Sequence, residues 1–241
     1  MFYYYTGNNY QYSNIDLILT LVMVAAVLIA IWAQFNVSST FNKYSKLYTV
    51  NGRTAAETAR RILDQNGLSY IRIERVPGNL TDHYDPRSNV LRLSESTYDN
   101  TSAAAIGVAA HEAGHAIQHA VGYFPIKVRQ KLAPAAGFAS RASIIFILLG
   151  LVIFPMLAYI GVILYSVTTL FQLVTLPCEF NASARALSIM ETSGWYSGEE
   201  LRAASKVLRA AALTYVAATL MSALYLLRYL LIIFGGRRRN R

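Results

Sequence analysis

The chain has 241 residues, enough for one compact domain together with membrane helices. Apolar residues make up 54% and charged residues only 15%, whereas an ordinary soluble domain carries about a quarter charged residues, so that class is excluded. The formal net charge of +9 comes without a basic stripe interleaved with aromatics, so it reads as basic loops beside a membrane and not as nucleic-acid binding.

Ile15 to Phe35 is apolar except for Thr20 and Gln34, and it is long enough to span a bilayer. Residues 1–14 hold no Lys or Arg, and no small-residue cleavage site follows, so the segment is expected to be a retained anchor and not a signal peptide. Lys43, Lys46, Arg53, Arg60 and Arg61 come after it. The positive-inside preference then places the N-terminus outside and residues 36–136 in the cytoplasm.

Thr54-Ala55-Ala56-Glu57 fits a capping box, so a helix is predicted from Ala55 to Asn66, ending at Gly67. Tyr70 to Val76 alternates as a strand does. Asp82-His83-Tyr84 and Val90-Leu91-Arg92-Leu93 read as two further short strands joined around Asp85–Asn89. The three are expected to form a small antiparallel sheet.

His111-Glu112-Ala113-Gly114-His115 follows, an H-E-x-x-H pattern. Histidines four apart lie on one helix face and can reach one Zn²⁺. The Glu beside the first His projects toward the same site, where it can take a proton from a water. The alanine-rich run from Ala103 through His119 reads as a buried helix with Ser102 as its N-cap. A surface helix with two chance histidines would show more charge.

Gly137 to Leu176 is mostly apolar, with Arg141 as its one formal charge, and is long enough for two spans that break near Phe154-Pro155. A last apolar segment runs from Ala210 to Phe234, ahead of the basic tail Arg237–Arg241. As a true span it would carry that tail outside, against the positive-inside preference. A tolerated exception, an interfacial helix and a reversed orientation are the three ways out, and a true span is the favoured reading. The expected organisation is an anchor (1–36), a metallopeptidase region (37–136), a membrane hairpin (137–176), a region carrying a third ligand (177–209) and a terminal helix (210–241).

A catalytic zinc site needs three protein ligands and an open position. Glu179 is the candidate for the third, opening a helix from Glu179 to Met190. Residues 115 and 179 must lie on one side of the membrane to share a metal, and two spans between them satisfy this. His119 sits two helical turns from His111, too far for an easy shared site. Val121 occupies the place where a metzincin-type third His would be expected. His83 is a candidate for the cleft, against the plainer reading of a turn histidine. The strand edge around Val90, Leu91 and Leu93 is a candidate for aligning a peptide by main-chain pairing. Tyr215 can hydrogen-bond an oxyanion, or simply be a tyrosine at a membrane boundary. The one cysteine, Cys178, reads as a small buried filler and excludes an internal disulfide.

The stretches Gly52–Leu63, Asp82–Arg87, Val90–Glu95, Ala109–Gln118, Leu176–Ser183 and Ala212–Ala217 together resemble the YugP-type neutral zinc metallopeptidases, a family of bacterial membrane proteins. The order of parts is also similar to the HtpX-like and CAAX-prenyl-protease gluzincins, where a membrane-flanked HExxH precedes two spans and a Glu-x-x-Ala-Asp motif. Ser183 stands where that Asp would be. Asp82, Asn181 or Ser183 can replace its orienting role. The resemblance implies peptide-bond hydrolysis by a zinc-activated water; with the apolar segments and basic loops, the expectation is a multi-pass cell-membrane zinc metalloendopeptidase of mainly α build, with about four transmembrane helices, a peptide or protein substrate and a cytoplasmic active site. A site-2-type intramembrane protease would pair HExxH with an Asp-Gly dipeptide, which the chain does not contain. A non-catalytic scaffold is disfavoured by the intact Glu112.

Overall fold

The computed structural model describes residues 14–235, and the Arg237–Arg241 tail lies outside the described residues. The order is α1 (Asn14–Tyr44), α2 (Ala55–Gln65), β1 (Arg72–Val76), β2 (His83–Asp85), β3 (Val90–Ser94), α3 (Ala103–Ala120), α4 (Phe124–Val152), α5 (Met156–Thr192) and α6 (Gly198–Gly235).

Local chemistry sets the ends of the short elements. Thr54 and Glu57 exchange the two bonds of a capping box at the start of α2. Gly67, at φ +72°, takes the left-handed turn that stops the helix. The Ser102 hydroxyl accepts the Ala105 N–H and caps α3.

α1, α4, α5 and α6 are each long and apolar enough to cross a membrane. They pack as a row in which α1 lies on α6, α6 on α5, and α5 on α4. The fold is that of a mainly α integral membrane protein. α4 and α5 are joined by residues 153–155, so the apolar stretch does turn near Pro155. At Gly150 the two helices approach so closely that a Cβ would run into the Ala158 backbone.

The helices run further than the apolar sequence alone predicts. α5 has 37 residues and is about 55 Å long, against a hydrocarbon core of about 30 Å. It continues through Pro177 without a break, so Glu179 sits inside a helix and does not open one. α6 begins at Gly198, well before Ala210. The extra turns carry Ala182, Ala186 and Met190 on α5, and Ala203, Ala204, Val207 and Leu208 on α6, all buried. α3 packs against both of these helices. Burial of that small-residue face holds the extensions helical.

The sheet is mixed, in the order β1-β3-β2. β2 and β3 form the expected antiparallel pair, with Tyr84 opposite Leu91, but β1 pairs parallel to β3, with Ile73 opposite Leu91. The connection between β1 and β2 is too long for a tight hairpin and sets β2 two strand spacings from β1. β3 fills the gap. Its Val90, Leu91 and Leu93 have no exposed surface, and Leu91 and Leu93 join α2 and α3 in the main core.

Candidate metal centre

α3 and α5 bring the donors together. His111, His115 and Glu179 offer ligand atoms that all lie within 4.8 Å of one another. One Glu179 oxygen, Oε2, is 3.3 Å from His111 Nε2 and 3.5 Å from His115 Nε2. This closeness depends on a missing side chain. A Cβ on Gly114 would stand 2.7 Å from the Ala182 carbonyl oxygen. Glycine on α3 and alanine on α5 therefore let the two backbones meet.

The far nitrogen of each imidazole is also held. Gln118 is fully buried, and its Nε2 donates to the Cys178 carbonyl (2.8 Å) and to Asn181 Oδ1 (3.0 Å). Its carbonyl oxygen is left to accept from His115 Nδ1–H at 3.0 Å. The Ser183 hydroxyl oxygen is 3.0 Å from His111 Nδ1, where it can accept a hydrogen bond. With the proton on Nδ1, each ring can offer its Nε2 to a metal held beside Glu179. Two imidazole nitrogens and one carboxylate form a His₂Glu donor set that fits Zn²⁺. Of the three residues considered for the missing orienting Asp, Ser183 is the one in contact with a histidine. Asn181 acts one step removed, through Gln118. Asp82 is occupied elsewhere, accepting from the Ser94 N–H and hydroxyl and from the Thr97 hydroxyl.

Glu112 is partly exposed and accepts the Tyr84 N–H at 3.0 Å, which ties β2 to α3. A cavity of about 320 Å³ opens beside it, lined by His83, His115, His119, Arg129, Glu179 and Tyr215 among others. His83 thus lies at the cleft, with its Nδ1 2.9 Å from the Thr81 carbonyl. Tyr215 faces Glu179 and Glu112. His119 stands outside the donor group, its ring 5.5 Å from that of Tyr84. Burial, with the nearby His115 and Arg129 charges, brings its pKa down to about 4, so it is neutral at physiological pH. At the far end of β2, hydrogen bonds from Ser88 and the Arg87 N–H, helped by Arg92, bring Asp85 down to about 2 and anchor the turn.

The candidate peptide-aligning edge moves. Val90, Leu91 and Leu93 belong to the central strand, which is paired on both sides and buried, so they offer no free edge. The free edge near Glu112 belongs to β2. Alternation in the sequence marks a strand but not its place in the sheet.

Arg129 went unnoticed in the sequence. Its guanidinium forms an ion pair with the outer Glu179 oxygen at 3.2 Å. In the sequence it sits among Lys127 and Lys131 and reads as one more basic residue beside a membrane. Gln118 carried a better signal, a polar residue one turn after the second histidine on an apolar helix. Cys178 is buried, as expected of a filler. A larger cavity, about 540 Å³ between α2 and β1, is lined by Arg53, Arg60, Ile73 and Tyr98 and holds none of these donors.

Comparisons with known proteins bear on this geometry. No solved structure matches the chain. A protein of Bacillus subtilis named "Putative membrane protease YugP" is 49% identical over 218 residues, covering 90% of this chain and 97% of that one. The family described as "Putative neutral zinc metallopeptidase" matches residues 19–234. The chain belongs to this zinc metallopeptidase family, and it is a multi-pass membrane protein.

Proposed function

We propose that this family member is a membrane-embedded metalloendopeptidase whose zinc is held by His111, His115 and Glu179, with Glu112 as general base. The observation that carries the reading is the convergence of those three donors between two cavities that Glu112 also lines, His115 and Glu179 on one and His111 on the other. When bound, Zn²⁺ acidifies a water and polarises the scissile carbonyl. Glu112 accepts the proton of the attacking water and later delivers it to the leaving amine. Tyr215 and Arg129 stand where a hydroxyl and a guanidinium can stabilise charge developing on the carbonyl oxygen. Ser183 and Gln118 hold the two imidazoles in position. The outer edge of β2 aligns the peptide as an added strand through main-chain groups other than the Tyr84 N–H, which Glu112 holds.

The clients follow from location. Glu179 lies just past the apolar stretch that ends at Leu176, so the centre sits next to the bilayer surface. Membrane proteins and membrane-proximal segments are the substrates within reach. The basic residues after α1 place the site on the cytoplasmic face, with the N-terminus outside. α6 packs along α1 and α5, which favours a true span over an interfacial helix, and the basic tail then lies outside as an exception to the charge preference. In a Cys178→Ser background, an impermeant thiol reagent on intact cells is expected to label Asn8→Cys and not Ser88→Cys. The opposite pattern inverts the topology.

Glu112→Gln tests the mechanism. Gln is nearly isosteric but takes no proton, so zinc content should equal wild type while turnover on casein or a membrane client falls about 10²–10⁴-fold. Wild-type cleavage by that variant removes Glu112 from the chemistry.

A further inference from the structure

Glu112 and Tyr215 line two cavities, one on each side of the reacting centre. The first is the one already described. The second, of about 250 Å³, reaches away from it and is walled by Val37 and Phe41 of α1, Val108 of α3, Val207 of α6 and Leu80 ahead of β2. Its polar groups are those of the centre, Asp82, which is already bonded to Ser94 and Thr97, and Gln34 and Thr214. The α1 wall is fixed, because Phe41 is buried in a cluster with Ala104 and Val207. At the rim Leu80 is held at φ 54°, a backbone conformation that favours glycine.

The direction of β2 assigns the two cavities. Leu80, ahead of the strand, lines only the second cavity, Pro86, past its end, lines only the first, and Asp82 lies between and lines both. A peptide added antiparallel to β2, the more stable pairing, lays its carboxyl-terminal half over the start of the strand. The residue after the scissile bond then faces the second cavity.

We infer that this cavity is the pocket for the side chain that follows the scissile bond, and that the membrane anchor α1 forms one wall of it. The pocket takes one large aliphatic or aromatic side chain. α1 is therefore a specificity element as well as a tether. The inference rests on the protease reading above.

The test is cleavage-site profiling of the full-length protein in detergent against a mixed peptide library, with zinc content measured in parallel. The wild type is expected to cut ahead of large apolar residues. Val37→Trp fills the pocket and should lower cleavage ahead of Leu or Phe roughly tenfold or more relative to Ala, a loss typical of a pocket that no longer fits. Val108→Ala enlarges it and should shift the preference toward bulkier residues, which keeps the inference testable if Val37→Trp fails to retain zinc. A zinc-replete variant pair with an unchanged preference after the bond overturns the pocket. So does a change confined to the residue before the bond. A zinc-replete wild type that cuts no peptide defeats the protease reading itself, and the pocket falls with it.

Discussion

α3 and α5 supply opposite sides of one centre and are built differently. α3 is a short helix in the core of the extramembrane part, and its two histidines and the proposed general base come from five consecutive residues. α5 is a membrane helix that overshoots the bilayer and contributes a single carboxylate, 64 residues after His115 and through two apolar spans. On α3 the site is set by helical repeat. On α5 it is set by packing, through Gly114 against Ala182 and through Gln118 reaching across to Cys178 and Asn181. The two histidine donors are written in the motif, but their convergence with Glu179 is written in small residues and one buried amide.

Breaking the contact between the two helices has the largest expected effect. Gly114→Leu leaves every proposed ligand in place but pushes α3 away from the Ala182 backbone, and overpacking of this kind costs about 1–3 kcal/mol or more. Metal analysis should find zinc lost and proteolysis abolished in the membrane-inserted protein. A zinc-replete Gly114→Leu would mean that the close approach does not set the site.

Removing the orienting partners sharpens the comparison, because one serves each histidine. Gln118→Ala leaves His115 Nδ1 and the Cys178 carbonyl without their partner in a buried place, so zinc affinity should fall by close to 100-fold. Ser183→Ala removes one bond to the more accessible His111, and the loss should be nearer tenfold. Competitive titration with a zinc chelator gives both numbers. A greater loss for Ser183→Ala would reverse the assignment of which histidine depends more on its support.

Much of this was legible in the sequence. The α3 helix, its Ser102 cap, the α2 capping box and the turn near Pro155 follow from local rules that act over a few residues. Glu179 was reachable because a shared metal demands an even number of crossings. What stayed hidden is tertiary. Nothing local says that β3 lies between β1 and β2, so Val90, Leu91 and Leu93 read equally well as an edge. Pro177 reads as a helix boundary, yet burial of Ala182 and Ala186 carries α5 past it. Arg129 looks like a charge placed for topology until α4 folds back and brings it to 3.2 Å from Glu179.

Zinc content of Glu179→Ala, measured beside His119→Ala on protein purified in detergent, is the most direct test. The wild type and His119→Ala should each hold one zinc per chain, and Glu179→Ala should hold clearly less. Full zinc in Glu179→Ala together with loss in His119→Ala would contradict the site as built from α3 and α5.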